Sequence, residues 1–258
     1  NKLIEEFMLL ANKKVAEKMR KSKELFVYRV HDQPDQEKLK NLQTVVKRLG
    51  YNLKLSSNEL NDSLNSLLKK AFGKNEQNLI DTLMIRSMSK AEYTTKNIGH
   101  YGLSFENYTH FTSPIRRYPD VMVHRLIQAE IDGEKIKTDE TETLCKHSTH
   151  MEILATKAER DSVKLMQIKF MKDKEGKTFD AVISGVVARG VFVEVIENKC
   201  EGLVKAKDLP GDFYVHDEKN HRFVGEKTGK KYQLGDKTRV MLIKADQIKK
   251  RLDFQVLT

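Results

Sequence analysis

A change in hydrophobic periodicity near Glu175 constrains the fold of this chain more than any other feature of the sequence. Before this point, apolar residues recur at the spacing of a helix that buries one face. After it, short β-branched runs are separated by Gly, Asp and Asn, which is the pattern of short strands joined by turns. We therefore predict an α+β chain with a mainly helical first domain, residues 1–174, and a β-rich second domain, residues 175–258.

The apolar spacing of the first domain predicts a series of amphipathic helices. They cover Lys2–Met19, Gln33–Leu49, Ser56–Phe72, Asn78–Met88, Asp120–Ile131 and Asp139–Met171. The buried face of the first helix is expected to contain Leu3, Ile4, Phe7 and Leu10. Ser56 or Ser57 can cap the third helix, whose apolar side is expected to include Phe72.

The second domain has the strand pattern of a small closed barrel. Its β-rich runs are Phe179–Val187, Val191–Ile196, Glu201–Val204, Arg239–Lys244 and Leu252–Leu257. Five short strands in a segment of this length favour a five-stranded OB-fold β-barrel, with Phe213 and Tyr214 in a connecting loop.

The net charge and the cysteine content indicate which kind of partner and which cellular compartment to expect. The chain has 47 Lys and Arg against 37 Asp and Glu, a net charge of +10 that favours a polyanion such as nucleic acid. A lysine-rich surface that serves solubility is the alternative. The two cysteines, Cys145 and Cys200, lie far apart, which fits a reducing cytoplasm. No apolar run approaches the length of a bilayer-spanning helix, so we expect no membrane association.

The stretch from His100 to Asp120 combines aromatic rings, hydroxyl groups and two adjacent arginines. An arginine can hold a phosphodiester through two parallel hydrogen bonds, which a lysine cannot form. Pro114 and Pro119 restrict the backbone on either side of the arginines. The composition indicates a phosphate-binding loop, and a structural arginine pair that neutralises nearby acids is the alternative. The expected RNA contacts are Tyr108, Ser113, Arg116, Arg117 and Tyr118.

This stretch resembles a motif of the ribonuclease II / ribonuclease R family. The similar residues begin with His-Tyr-Gly-Leu at His100, continue through Thr-Ser-Pro-Ile-Arg-Arg-Tyr-Pro-Asp to Asp120, and are followed by Val123–Arg125. Three further stretches are similar in the same order along the chain: Leu3–Asn12, Tyr28–Pro34 and Ala158–Asp161. The resemblance covers essentially the whole chain and favours ribonuclease R. It implies the C-terminal part of an RNB-type catalytic domain followed by an OB domain.

The same resemblance implies an activity and roles for particular residues. Family members hydrolyse RNA from its 3′ end and release nucleoside 5′-monophosphates. Arg116 matches the arginine that holds the scissile phosphate, where a guanidinium would stabilise charge that grows in the transition state. Glu159 matches a glutamate that helps hold the 3′-terminal nucleotide. Glu6, or its neighbour Glu5, matches a substrate contact on the first helix.

The barrel segment resembles the OB domains repeated in the largest protein of the small ribosomal subunit. The similar stretches are Gly190–Val193, Glu201–Val204 and Leu234–Asp236. The binding face that this resemblance implies consists of Arg189, Phe192, Lys205, Asp246 and Lys250. Arg189 stands where an aromatic residue is usual and Lys205 where histidine is frequent, so weaker stacking and stronger phosphate attraction are expected. A core position for Phe192, with the lysines on a solvated face, is the alternative.

The family's metal site is a cluster of closely spaced aspartates that binds Mg²⁺ in the two-metal manner. Asp120, Asp132 and Asp139 stand apart in this sequence, so we expect no metal site here and place the Mg²⁺ ligands outside this chain. Because the chain begins at Asn1, within a helical pattern, we expect a fragment of a longer exoribonuclease. The fragment alone should bind RNA without cleaving it. A non-catalytic RNA-binding adaptor is the alternative function.

The expected partner is single-stranded RNA, with the ribosome or structured RNA as a further partner. The parent enzyme is expected to be a cytoplasmic monomer. A catalytic domain divided at this point would expose apolar faces, so the fragment is expected to self-associate.

Overall fold

The computed structural model describes residues 1–56, 59–74, 76–134 and 140–257. Two compact units can be distinguished. The first consists of Asn1–Asp35 and Met88–Lys157, and the second of Gln36–Ser87 and Ala158–Thr258. The predicted domain division at residue 175 rests on the change in hydrophobic periodicity, whereas these two units are defined by contacts between residues. The division at residue 175 stays a prediction.

The described secondary structure is mainly helical up to Met171, with two short strands among the helices, and consists mostly of strands from Thr178 onward, as predicted. The helices are α1 (Lys2–Ser22), α2 (Gln36–Arg48), α3 (Leu60–Ala71), α4 (Gln77–Ser87), α5 (Tyr118–Asp132) and α6 (Thr141–Met171). The strands are β1 (Tyr28–His31), β2 (Ala91–Thr94), β3 (Thr178–Val187), β4 (Gly190–Val195), β5 (Glu201–Lys205), β6 (Tyr214–Asp217), β7 (Arg222–Gly225), β8 (Lys231–Gln233), β9 (Lys237–Asp246) and β10 (Arg251–Val256). None of these described helices combines the length and hydropathy that crossing a membrane requires.

The first unit is built around a short antiparallel pair of strands. Tyr28 of β1 lies opposite Thr94 of β2, and His31 lies opposite Ala91. The core joins α1, β1, β2, α5 and the start of α6 through Ala16, Met19, Phe26, Val27, Tyr28, Val30, Tyr93, Met122, Val123, Leu126 and Cys145. This packing holds both ends of the aromatic segment between β2 and α5.

The burial predicted for the first half of α1 is wrong. Leu3, Ile4 and Phe7 are 70%, 63% and 61% exposed, whereas Ala16 and Met19 in the second half are fully buried. Helical periodicity shows that a face can be buried, but it does not supply the partner. No described residue covers the first turns of this helix.

The helices of the second unit bury the leucines that the periodicity indicated. Leu39, Leu42, Val45 and Val46 of α2 are buried, as are Leu60, Leu64 and Leu67 of α3. Phe72 is 78% exposed, because it follows the last residue of α3 and has left the helical face. Ser56 does not cap α3, which begins at Leu60, and Ser57 lies outside the described residues.

The predicted five-stranded fold is confirmed, and its strands form a closed barrel. The strand order is β10-β5-β4-β3-β9, with β5 and β10 parallel and the other pairs antiparallel. Gly202 permits this closure, because a Cβ atom there would lie 2.5 Å from the Leu252 carbonyl oxygen. Ile168 and Met171, at the end of α6, are fully buried in the barrel's apolar cluster.

A small antiparallel sheet, which the sequence pattern did not predict, is inserted between β5 and β9. Strands β6, β7 and β8 lie side by side in that order. Tyr214 is therefore buried in a strand, contrary to the loop that was predicted, and its ring packs on Tyr232 at a centroid distance of 5.2 Å. Phe213 is 71% exposed. Strands of three or four residues are too short to give a clear alternating pattern.

Candidate functional site

The two adjacent arginines of the aromatic segment have different surroundings. Arg116 is exposed, and among the described residues none accepts a hydrogen bond from its guanidinium group. Its backbone N–H donates to the Ser113 carbonyl oxygen at 3.3 Å, and the Arg117 N–H donates to the same oxygen at 3.1 Å. The Ser113–Arg117 segment is therefore a tight turn that presents Arg116 to solvent.

Arg117 is bound within the protein. Its Nε donates to Asp120 Oδ2 at 2.9 Å and its Nη2 donates to Asp120 Oδ1 at 2.8 Å. Asp120 is fully buried, and it also accepts from the Ser113 N–H at 2.8 Å. The predicted alternative of a structural arginine that neutralises an acid thus describes Arg117 and does not describe Arg116. Tyr118, which begins α5, is 46% exposed.

Tyr108 lies in the interior, contrary to the expectation that it contacts RNA. It is 5% exposed, and its hydroxyl oxygen accepts from Asn12 Nδ2 at 3.1 Å. Its carbonyl oxygen accepts from the Arg29 N–H of β1 at 3.0 Å. A ring so placed cannot stack on a base. Tyr108 instead links the aromatic segment to α1 and β1 through these two hydrogen bonds.

A half-buried histidine, His110, lies beside Tyr108, and no sequence pattern singled it out. His110 Nδ1 lies 2.8 Å from the Tyr93 hydroxyl oxygen. Burial, reinforced by the positive charges of nearby arginines, lowers the pKa of His110 to about 3. Burial likewise raises the pKa of Tyr93 to about 12. Both side chains are therefore neutral near pH 7, and they form an uncharged layer next to the arginine turn.

An ion pair between Arg29 and Glu152 lies next to Tyr93. Arg29 donates to both carboxylate oxygens of Glu152 at 2.7 and 3.0 Å, and its guanidinium lies 4.5 Å from the centre of the Tyr93 ring. The side chain of Arg29 is 12% exposed. Arg29 therefore ties β1 to β2 and α6 and is not available to a ligand. The sequence did not predict this structural role of Arg29, because an isolated basic residue in a strand forms no recognisable pattern.

The two predicted substrate glutamates both lie on exposed helix surfaces. Glu159 is exposed on α6 and belongs to the second unit, whereas Glu6 is exposed on α1 and belongs to the first. Glu5, the alternative to Glu6, is exposed one position earlier. Exposure is compatible with substrate contact, and the roles of these glutamates stay predictions.

The barrel brings together three of its predicted RNA contacts. Lys205 lies opposite Gly190 in the pairing of β5 with β4, next to Arg189. The Arg189 guanidinium lies 5.9 Å from the centre of the Phe192 ring, which is half-buried on the outer side of β4. Val191 and Val193, on either side of Phe192, are fully buried, so Phe192 points away from the core. One aromatic ring and two cations thus share one surface.

Asp246 and Lys250 lie at the turn between β9 and β10. Asp246 Oδ1 accepts from the Lys249 N–H at 2.9 Å, and this bond contributes most to lowering the pKa of Asp246. Asp246 therefore closes the turn. Lys250 has a left-handed backbone with φ of 49° and is exposed. The strand pairing sets Asp246 opposite Arg251, not opposite a residue of β4 or β5.

The barrel surface includes charged residues that the sequence analysis did not select. Strand pairing aligns Phe192 with Leu203, Leu203 with Asp253, and Asp253 with Lys244. A shallow groove along this row is lined by Leu203, Lys205, Asp208, Ile243, Lys244, Arg251, Asp253, Phe254 and Gln255. We call the line from Phe192 to Lys244 the barrel row. Only the pairing of parallel β5 with β10 places these residues together.

The described residues do not fit a metal site. Within residues 1–56, 59–74, 76–134 and 140–257, no group of three His, Cys, Asp or Glu side chains could hold an ion. Asp120 is already bound by Arg117 and Ser113, and Asp139 lies outside the described residues. The side chain of Cys145 is buried, and burial raises the pKa of its thiol to about 12, so it is protonated at neutral pH.

Comparison with protein families decides where the chain belongs. The RNB domain model matches residues 1–133, which is more than half of the chain. The chain belongs to the RNB domain family. A second match, to the S1 RNA binding domain, covers residues 172–257 and contains the whole barrel. Both parts of the resemblance found in the sequence are therefore confirmed.

Individual relatives agree with this assignment. The chain is 40% identical over 261 residues to ribonuclease R of Aquifex aeolicus, and the match covers 100% of this chain and 37% of that protein. It superimposes with a TM-score of 0.89 on Mycoplasma genitalium RNase R in complex with ribose-methylated single-stranded RNA, at 29% identity, covering 98% of this chain and 41% of that one. A yeast pseudonuclease matches with a TM-score of 0.66 at 26% identity, covering 85% of this chain and 28% of that one. The chain thus spans less than half the length of these relatives.

Proposed function

We propose that the protein containing this chain is a processive 3′→5′ exoribonuclease that releases nucleoside 5′-monophosphates, with Arg116 on the scissile phosphate. The observation that carries the proposal is the contrast within the arginine pair. Arg117 is bound by the buried carboxylate of Asp120, whereas Arg116 is exposed on the same turn. A guanidinium without a protein acceptor can offer two parallel hydrogen bonds to a phosphodiester. Membership of the RNB family supports the class of reaction.

Arg116 acts by electrostatic stabilisation and takes no part in proton transfer. Its charge is fixed at all relevant pH values, so it can neutralise the phosphoryl oxygens as negative charge grows on them. The uncharged layer formed by His110 and Tyr93 beside the turn offers no competing anion. Glu159 holds the 3′-terminal nucleotide and Glu6 contacts the strand, as the family resemblance implies.

The barrel binds the single strand before it is cleaved. Phe192 supplies a ring for a base, and Arg189 and Lys205 attract phosphates from the same surface. The S1 match and the RNA-bound relative support RNA as the partner, with structured RNA or the ribosome as further partners. The division of the chain into residues 1–174 and 175–258 is part of this proposal, as are a monomeric parent and a cytoplasmic location.

The catalytic metal site belongs to a part of the protein outside the described residues, since these do not fit one. A divalent ion such as Mg²⁺ would supply an activated water when bound there. The roles assigned to Arg116, Glu159 and the barrel concern only how the RNA is held and do not depend on the position of the metal.

The test of Arg116 is a comparison of turnover with affinity in the full-length protein. Because Arg116 contacts charge that develops in the transition state, Arg116→Ala should lower the single-turnover rate on labelled poly(A) by roughly 10²- to 10³-fold. RNA affinity should change much less. Arg86→Ala removes an exposed arginine on α4 and is the matched control. Equal losses of rate and affinity would make Arg116 an ordinary binding residue.

A non-catalytic RNA-binding adaptor is the second candidate. It is favoured by the similarity of the chain to a yeast pseudonuclease. The full-length protein, incubated with Mg²⁺ and labelled poly(A), separates the two functions. Release of nucleoside 5′-monophosphates supports the exoribonuclease, whereas salt-dependent RNA binding without product supports the adaptor.

A further inference from the structure

Asp120 is the one fully buried carboxylate identified within the described residues. A charge removed from water is tolerated only when it is paired and hydrogen-bonded, because desolvation otherwise costs several kcal/mol. Asp120 meets this requirement with three donors: the Ser113 N–H, Arg117 Nε and Arg117 Nη2, all within 2.9 Å. All three donors come from the turn that carries Arg116.

The positions of these donors make Asp120 the anchor of that turn. Ser113 is the first residue of the turn and Arg117 the last, and one carboxylate holds both. The Asp120 N–H also donates to the Arg117 carbonyl oxygen at 3.2 Å, so the side chain and the backbone of Asp120 fix the same end. Asp120 itself is fixed in the first turn of α5, where its negative charge favours the helix N-terminus. Arg116 lies between the two fixed ends, and its backbone N–H donates to the Ser113 carbonyl oxygen at 3.3 Å.

We propose that Asp120 is a positioning residue for Arg116, an inference that rests on the function proposed above for Arg116. Asp120 does not touch the RNA, because it is fully buried. It sets the position from which the Arg116 guanidinium reaches the scissile phosphate. Arg117 serves the same end as the cationic partner that hydrogen-bonds both carboxylate oxygens of Asp120. A displacement of about 1 Å in a group that holds the reacting atoms can lower a rate by about 10²-fold.

The decisive experiment is a double-mutant cycle on single-turnover RNA degradation by the full-length protein. Asp120→Asn keeps the shape of the side chain, but its amide group turns a donor towards Ser113 or Arg117 and breaks at least one of the three bonds. We expect this variant to lose roughly 10²-fold in rate, with RNA affinity nearly unchanged. In an Arg116→Ala background the same substitution should change the rate by less than about threefold, because the group that it positions is gone.

Three further measurements separate a positioning role of Asp120 from a general structural effect. Arg117→Lys keeps the positive charge but loses the bidentate hydrogen bonding to Asp120. The Arg117→Lys variant replaces Asp120→Asn in the cycle if Asp120→Asn fails to fold. Asp217→Asn weakens a partly exposed Asp–Arg pair of the inserted sheet, with Arg222 Nε at 2.9 Å from Asp217 Oδ2, and should leave the rate unchanged. The wild type and Arg116→Ala alone test the proposed function: if the wild type releases no product, that function fails, whatever Asp120 does.

Two results would overturn the role of Asp120 while leaving the exoribonuclease proposal intact. One is a folded Asp120→Asn protein that degrades RNA at the wild-type rate. The other is an equal loss of rate in the wild-type and Arg116→Ala backgrounds, which would indicate a general structural effect that does not act through Arg116.

Discussion

At the residue scale, neighbouring side chains of one type are distinguished by their partners. Arg116 and Arg117 are adjacent and chemically identical, but of the two it is Arg117 that binds the buried carboxylate of Asp120, while Arg116 is exposed. Tyr108 and Tyr118 lie in the same segment, but one is 5% and the other 46% exposed. Each member of a pair can therefore be assigned either to the interior scaffold or to the exposed surface.

Two half-buried histidines, His100 and His110, are expected to make the stability of the first unit depend on pH under acidic conditions. Burial lowers the pKa of His110 to about 3 and that of His100 to about 4, against about 6.5 in an unfolded chain. Below about pH 6.5 the unfolded state therefore binds more protons, and stability falls as the pH drops towards 4. Above pH 6.5 this contribution is fully present. We expect the free energy of unfolding to decrease between pH 7 and pH 4.5, as measured by urea denaturation.

Replacing His110 tests this origin of the acid sensitivity. His110→Gln keeps a hydrogen-bonding partner for Tyr93 but cannot be protonated, so its stability should depend less on pH over that interval. His147→Gln removes an exposed histidine of α6 and should retain the wild-type dependence. Identical pH slopes for wild type and His110→Gln would contradict the assignment.

At the element scale, the barrel derives its surface from strand pairing. Leu203 and Asp253 meet only because β5 and β10 run parallel at the point of closure. The barrel row therefore carries an aromatic ring at one end and Lys244 at the other, with Asp253 between them. The insert β6–β8 lies outside this row and contributes a separate exposed ring, Phe213.

Removing the ring on the barrel row should weaken RNA binding. A stacked base contributes roughly 1–3 kcal/mol, so Phe192→Ala should raise the Kd for single-stranded RNA by about 5- to 150-fold. Phe213→Ala removes an aromatic ring that is more exposed but lies off the row, and should have little effect. Fluorescence anisotropy with labelled poly(A) at fixed salt measures both. Equal increases in Kd for the two variants would mean that the barrel row is not the preferred binding surface for single-stranded RNA.

Closure of the barrel should depend on Gly202. An added Cβ would lie 2.5 Å from the Leu252 carbonyl oxygen and 2.6 Å from the Phe254 ring, so β5 and β10 would have to separate. Gly202→Ala should lower the Tm of the barrel by several degrees. Gly102→Ala, where the nearest atoms would be 3.8 Å away, is the control in thermal denaturation. An unchanged Tm for Gly202→Ala would show that the strands can yield at this point.

At the scale of the whole molecule, the described residues include the candidate RNA contacts but no group of side chains that could hold a metal ion. The described residues provide no metal-binding group, yet they include the exposed Arg116 and the barrel row. The exposed apolar side chains at the start of α1 show that a further surface is unpartnered here. The chain spans less than half of the length of the relatives to which it is similar.

The isolated chain is therefore expected to bind RNA and not to cleave it. Incubated with Mg²⁺ and labelled poly(A), it should release no mononucleotide, while its RNA affinity should fall steeply as salt rises, because bound phosphates release counterions. The full-length protein under the same conditions is the control. Steady release of mononucleotide by the isolated chain would show that this prediction is wrong.

The sequence by itself determined the order of the helices, the five barrel strands and the family motif around Arg116. Local periodicity and residue chemistry are properties of neighbouring positions, so they can be read without a structure. The tertiary structure decided what depends on distant partners. It left Leu3, Ile4 and Phe7 uncovered, placed Tyr108 inside, and assigned Arg117 to Asp120 while leaving Arg116 exposed. Burial and pairing are set by contacts between residues far apart in the chain, and spacing along the sequence does not encode them.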